Sequence, residues 1–187
     1  MSLVLASSLH AQAPESAETI FETALDQVRE ELDSVYLPQI GDAKIPADAI
    51  AVAERTIGGA PLGFREFTTR HFGSVIAEDL LDSYGAGGPA ARRIESETAD
   101  GFAVLPLEEF SAGPHSYDWR RLGEKYPRVR YVVRLSWPAV DKLGTYAVVR
   151  YEIIGPKGRE WAGFAKFEKQ TDGTWKALLR AVGAIWN

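Results

Sequence analysis

The sequence predicts an α+β fold, with N-terminal helices packed on a C-terminal four-stranded antiparallel meander. Three observations carry this. Residues 126–186 alternate apolar and polar side chains in four runs, separated by turn residues at Asp141–Gly144, Gly155–Gly158 and Thr171–Gly173. Residues 15–36 keep an apolar stripe at the helical spacing. The charge is also divided along the chain: residues 119–187 hold 14 Lys and Arg against 6 Asp and Glu, whereas residues 1–118 hold 7 against 20. An acidic helical layer laid on a basic sheet layer accounts for that division; a basic sheet face attracting an anionic ligand is the sharper alternative.

Residues 1–13 resemble the end of a secretory signal peptide. An apolar run from Leu3 to Leu9 is followed by Ala11-Gln12-Ala13, with small residues where the peptidase inspects the chain. The basic opening of such a peptide is missing, because no Lys or Arg precedes Arg29, as a start placed downstream of the true one would leave it. The plainer alternative is the tail of a cytoplasmic protein. On the first reading residues 14–187 form a single domain, periplasmic or secreted.

Glu15 to Tyr36 reads as a helix. Ser16 caps it, acidic residues crowd its first turns, and Ile20, Phe21, Ala24, Leu25, Val28, Leu32 and Val35 share one face. Pro46 to Ile57 reads as a second helix, with proline in the first turn and Gly58-Gly59 behind it. Phe64 to Tyr84 is helical in period, with a break at Gly73. Gly85-Ala86-Gly87-Gly88-Pro89 is a helix stop and loop: it follows a helix and lacks the Lys-Ser/Thr pair of a phosphate loop. Phe102 to Phe110 begins extended and turns helical after Pro106, and Asp118 to Tyr126 forms a short helix before the sheet.

In the meander, Val129, Tyr131, Val133, Leu135 and Trp137 alternate with Arg128, Arg130, Val132, Arg134 and Ser136. Ala147, Val149, Tyr151 and Ile153 alternate with Tyr146, Val148, Arg150, Glu152 and Ile154. Trp161, Gly163, Ala165 and Phe167 alternate with Ala162, Phe164, Lys166 and Glu168. Trp175, Ala177, Leu179 and Ala181 alternate with Lys176, Leu178, Arg180 and Val182. One face is thus aromatic and aliphatic, and helices from the N-terminal half are expected to cover that one face.

Composition removes several function classes. The chain of 187 residues has no cysteine, which excludes disulfides, thiol nucleophiles and cysteine metal sites. Histidine occurs only at positions 10, 71 and 115, too sparse for a histidine-rich metal centre. With a pI of about 5.3 and no continuous basic helix, nucleic acid is not an expected partner. No run reaches the length of a membrane span. Nucleophile-elbow, zinc-protease and calcium-loop motifs are absent, so no cofactor or metal is expected.

The punctuation of the C-terminal region resembles a family of uncharacterised exported bacterial proteins. The likeness is carried by Tyr126-Pro127, Arg134-Leu135-Ser136, Thr145 to Tyr151, Gly158 to Glu168, the run Lys169 to Lys176 with its Asp172-Gly173-Thr174-Trp175 hairpin, and Ile185-Trp186. It covers about residues 105–187. The chain departs from that pattern after Ser136, where Trp137-Pro138-Ala139-Val140 replaces a basic-x-Gly-Phe turn. The resemblance implies export but no activity. The closing hairpin is also similar to that of nuclear-transport-factor-2-like domains, and the helices-then-sheet order suits a nuclear-transport-factor-2-like or cystatin-like plan.

Two groups of residues are candidates for chemistry. His115 and Asp118, with Ser116 and Tyr117 between them and Glu108 and Glu109 upstream, are a possible acid–base pair at a sheet mouth. Their Gly-Pro loop equally suits a turn-forming role. Arg130, Arg134 and Arg150 fall on one sheet face and would bind a carboxylate or phosphate if that face lines a pocket; facing water, they would protect the sheet surface. His71, on the apolar side of a helix, reads as a boundary histidine. The expected function is a non-catalytic, exported binding or interaction module, whose partner is a protein or a small anionic ligand. The alternative is a small-ligand binder or acid–base enzyme with a pocket between helices and sheet.

Overall fold

The described part of the first helix's apolar stripe lies against a sheet. In the computed structural model, which describes residues 14–32, 34, 46–58, 64–84, 91–94, 102–113, 116–156 and 160–183, α1 spans Pro14–Glu31. Ile20, Phe21, Ala24, Leu25, Val28 and Leu32 are all buried, as the spacing requires. Val35, the last residue of the expected stripe, and the signal-peptide-like residues 1–13 lie outside the described residues.

The segment expected to be a second helix is instead a strand. One 3-10 turn at Ala47–Ala49 leads into β1 (Ile50–Ala53), buried at all four positions. β1 runs parallel to β2 (Ala103–Leu105) on one side and to the first meander strand on the other. The run Ile50-Ala51-Val52-Ala53 is apolar on both faces, so its period does not separate a buried helix from a buried strand. Pairing decides it: an interior parallel strand satisfies its backbone through two neighbours and is apolar throughout because both faces are covered.

The expected break at Gly73 is present. α2 (Phe64–Phe72) and α3 (Ser74–Tyr84) meet there, and Gly73 takes φ 78°. Its N–H donates to Thr69 O (3.1 Å) while its carbonyl accepts from Ala77 N–H (3.1 Å), so one residue closes α2 and opens α3. A Cβ here would meet nothing within 4 Å. Gly73→Ala should therefore cost only the left-handed backbone strain, about 1–2 kcal/mol by urea unfolding; no loss would mean the corner relaxes freely.

After β2, Leu107–Phe110 forms a 3-10 turn, and a two-stranded ribbon of β3 (Ser111–Gly113) and β4 (Ser116–Tyr117) precedes α4 (Trp119–Lys125). The change from extended to helical after Pro106 and the short helix before the sheet both follow the sequence reading.

The meander consists of β5 (Tyr131–Leu135), β7 (Tyr146–Ile154), β8 (Glu160–Lys169) and β9 (Trp175–Gly183), with the short β6 (Ala139–Val140) pairing with β7 beyond the end of β5. The sheet runs β2-β1-β5-β7-β8-β9. Asp141 fixes the first turn: its carboxylate accepts from Thr145 N–H (2.7 Å) and Tyr146 N–H (2.8 Å). In the last turn Asp172 accepts from Thr174 N–H (2.9 Å) and the Thr174 hydroxyl (2.6 Å), which hold its carboxyl below its ordinary value. A bulge interrupts β9: Phe167 pairs with Ala177 but Lys166 with Leu179. Pairing beyond that point is shifted by one residue, so the unbroken alternation read through β9 does not hold.

Tyr131, Val133, Leu135, Ala147, Val149, Tyr151, Ile153, Trp161, Ala165, Phe167 and Trp175 form one cluster with the stripe of α1. Val129, expected with them, packs on the opposite side with Val132, Leu122 and Phe110, because the chain is still turning before Tyr131. Both faces of the sheet are covered, not one. On the second face, Phe64, Phe67 and Leu80 of α2 and α3 lie over Val148 and Ala139 at one end. Leu107, Phe110 and Leu122 lie over Val132 and Ile154 at the other. On β5 and β7 the residues left between these two apolar lids, Arg134, Ser136, Arg150 and Glu152, are polar.

Ion pairs join the acidic and basic halves of the chain: Lys142 with Asp79 (2.8 Å) and Asp82 (3.0 Å), Arg128 with Asp48 (2.7 Å), and Lys125 with Glu109 (3.0 Å). Apart from Asp79, whose side chain is 23% exposed, the partners are largely exposed, and each pair contributes at most about 1 kcal/mol. Among the described residues no helix is long and apolar enough to cross a membrane.

Candidate functional site

Along β7 the second face reads Val148, Arg150, Glu152, Ile154, so the polar pair falls between the two lids. Register brings Arg134 opposite Glu152, and Ser136 locks the edge: its Oγ accepts from Arg150 N–H (2.9 Å) and its N–H donates to Arg150 O (2.8 Å). Arg134 Nη1 donates to Glu152 Oε2 (2.9 Å) and Arg150 Nη2 to Glu152 Oε1 (2.6 Å). Each carboxylate oxygen is thus taken by a different guanidinium. The Glu152 side chain is 7% exposed and both arginines are 27% exposed. The group carries one excess positive charge at the floor of the polar middle.

Arg130 does not join it. It precedes β5, its side chain is exposed, and its N–H donates to Ala49 O (2.8 Å). Asp118 caps α4, accepting from Arg121 N–H (3.0 Å), and His115 lies outside the described residues. His71 sits against Phe67 with ring centroids 4.7 Å apart, and its carbonyl accepts from Lys166 Nζ (2.9 Å). Burial, then Arg70 and Lys166, lower the His71 imidazole below its ordinary value.

A cleft of about 360 Å³ opens beside Arg134. The continuation of β1 (Ala53 to Thr56), the turn after β2 (Pro106 to Glu108), Ser111 and Tyr117 supply most of the remaining wall. It therefore lies past the C-terminal ends of the three strands that run parallel, β1, β2 and β5. The β1 continuation is held in place from two sides: Ile57 N–H donates to Leu135 O (2.7 Å), and Thr56 accepts Arg92 N–H on its Oγ1 (2.8 Å).

Tyr117 reaches the cleft because the ribbon pairs it with Ser111, next to the buried Phe110. Burial pushes its phenol above the ordinary value, opposed by Arg134 and supported by Glu152, Glu160 and Glu108. The hydroxyl thus stays protonated at neutral pH and can donate. The wall carries both signs of charge: Arg134 and Arg55 against Glu54 and Glu108. Glu108 and Arg55 are only loosely paired (3.8 Å), and Glu54 is held by Arg93 (2.6 Å).

Among the described residues no group of three or more His, Asp or Glu is placed to hold a metal ion. The sequence pointed to Arg134 and Arg150, and named Tyr117 and Glu108 only as neighbours of His115 and Asp118; it did not point to Glu152, Glu54 or Arg55 as site residues. The alternation put Arg150 and Glu152 on one face; the cross-strand position of Arg134 depends on register, which alternation leaves open. No family model, no curated protein and no solved structure matches the chain.

Proposed function

We propose that this protein is an exported binding module, non-catalytic, whose cleft takes a small ligand by its acidic group. The observation that carries the reading is Arg134 at the cleft wall, half-buried and oriented from behind by Glu152. A guanidinium fixed by one nitrogen keeps other donors for a carboxylate or phosphate, and partial burial strengthens that bond over its value in water. The Tyr117 hydroxyl and Arg55 supply further donors on the same wall. The volume is near the lower end of ligand pockets, which run from about 300 to 1,000 Å³, so the ligand is small. An acid–base enzyme would need a facing titratable pair, and the described residue of the expected pair, Asp118, is used as a helix cap. Export rests on the signal-peptide-like residues 1–13, and kinship with the exported bacterial family on the punctuation of residues 105–187. The nuclear-transport-factor-2-like plan rests on the order of helices and meander.

The test is ligand-induced thermal stabilisation with propionate, succinate and inorganic phosphate. At ten times its Kd a ligand adds about 1.4 kcal/mol, or about 3–6 °C in Tm for a chain of this size. The wild type should show this with at least one probe. Arg134→Met should lose it, and the exposed Arg55→Gln should weaken it, each compared with its own unliganded Tm. Equal shifts in wild type and Arg134→Met, or no shift with any probe, overturn the reading.

A further inference from the structure

We infer that the ligand of this cleft is a zwitterion, carrying an ammonium as well as a carboxylate, as in an α-amino acid or a dipeptide. This rests on the reading that Arg134 holds the acidic group, and adds what the carboxylates of the same wall do. A cleft for a simple anion is served by cations alone. Here two carboxylates, Glu54 and Glu108, stand on the same wall as Arg134 and Arg55. Against a phosphate or a dicarboxylate they are repulsive elements, and against an ammonium they are acceptors.

Glu54 is the stronger acceptor of the two. Its side chain is 25% exposed, against 81% for Glu108, so its charge is less screened by water. Arg93, which engages Oε1 of Glu54, is not a wall residue of the cleft. Among the described residues no donor is assigned to Oε2, which leaves an acceptor for a ligand N–H. Position agrees with the assignment. Glu54 follows directly on β1 and Arg134 lies on β5, the neighbouring parallel strand. The register that pairs Val52 with Val133 sets Ala53 beside Arg134 and Glu54 one residue further on, and Glu54 and Arg134 both line the cleft, so the two charges can flank a ligand whose own charges are a few bonds from each other. The volume of about 360 Å³ admits one or two amino-acid residues and not a long peptide.

The experiment is calorimetric titration of the full chain with a matched set: alanine and alanyl-alanine, propionate without the ammonium, ethylamine without the carboxylate, and inorganic phosphate. Alanine or alanyl-alanine should bind at least about tenfold more tightly than propionate, the effect of one added charge-assisted hydrogen bond. Glu54→Gln should bring that ratio towards one, weakening alanine by loss of the ammonium acceptor and strengthening propionate by loss of a like charge. The exposed Glu108→Gln, which removes a charge without touching the Arg93 pair, should lower the ratio by a smaller factor and guards against a folding defect in the first variant. Propionate or phosphate binding as tightly as alanine, still lost in Arg134→Met, overturns the zwitterion and leaves the acidic-group reading standing. No binding by any probe overturns both.

Discussion

Phe21→Ala should lower the free energy of unfolding by about 3–5 kcal/mol, the cost of an emptied aromatic site in a closed core. Phe21 is fully buried at the centre of the α1 stripe and stacks on Trp137 with centroids 5.9 Å apart. The Arg92 guanidinium lies over the same indole at 4.4 Å, and Arg92 N–H in turn holds Thr56 beside the cleft. The ring thus ties the helix to the sheet and also to the chain that forms the cleft wall. Stability of a domain is of order 5–15 kcal/mol, so this one change removes a large share of it. Urea unfolding followed by tryptophan fluorescence reads the effect, with the slope unchanged if the native core only loses contacts. Phe21→Leu should retain most of the lost stability. A cost under about 1 kcal/mol would mean that α1 is not seated on the aromatic face.

Glu152→Gln is the second large effect, about 2–3 kcal/mol. Removing one partner of a fully buried ion pair costs about 3–5 kcal/mol, because the remaining charge is left without compensation. Here the figure is reduced because both arginines are 27% exposed and water screens part of the repulsion. The amide keeps the shape of the carboxylate, so packing is not the cause of the loss. A double-mutant cycle isolates it: Glu152→Gln combined with Arg150→Gln should cost less than the two single changes added together. Strict additivity in denaturant unfolding would show that Arg150 and Glu152 do not depend on one another.

Much of the architecture was legible in the sequence, for reasons that are local. Strand alternation, the Asp141–Gly144 and Thr171–Gly173 turns, the 3.6-residue stripe of α1 and the break at Gly73 each depend on residues close together in the chain. The conformation that glycine permits at Gly73 and the carboxylate that closes the turn at Asp141 act within a few residues of themselves. Partnership across the fold is a different kind of information. Ile50–Ala53 is a strand because β2 and β5 flank it, and nothing in the four residues names those neighbours. Val129 sits on the far face because the chain has not yet entered β5. The bulge in β9 shifts every later pairing by one.

By itself, then, the amino-acid order determined the layer composition, the four meander strands and a sheet face on which arginines recur. Tertiary structure alone decided that both faces are covered, that Arg134 and Arg150 meet on Glu152 while Arg130 does not, and that a cleft of mixed charge opens past the parallel strands. The physical reason is register. Side-chain alternation states which face a residue takes, but a strand can slide along its neighbour in steps of two without changing that face. Only the closed packing of both lids selects the one alignment in which a carboxylate falls between two guanidinium groups.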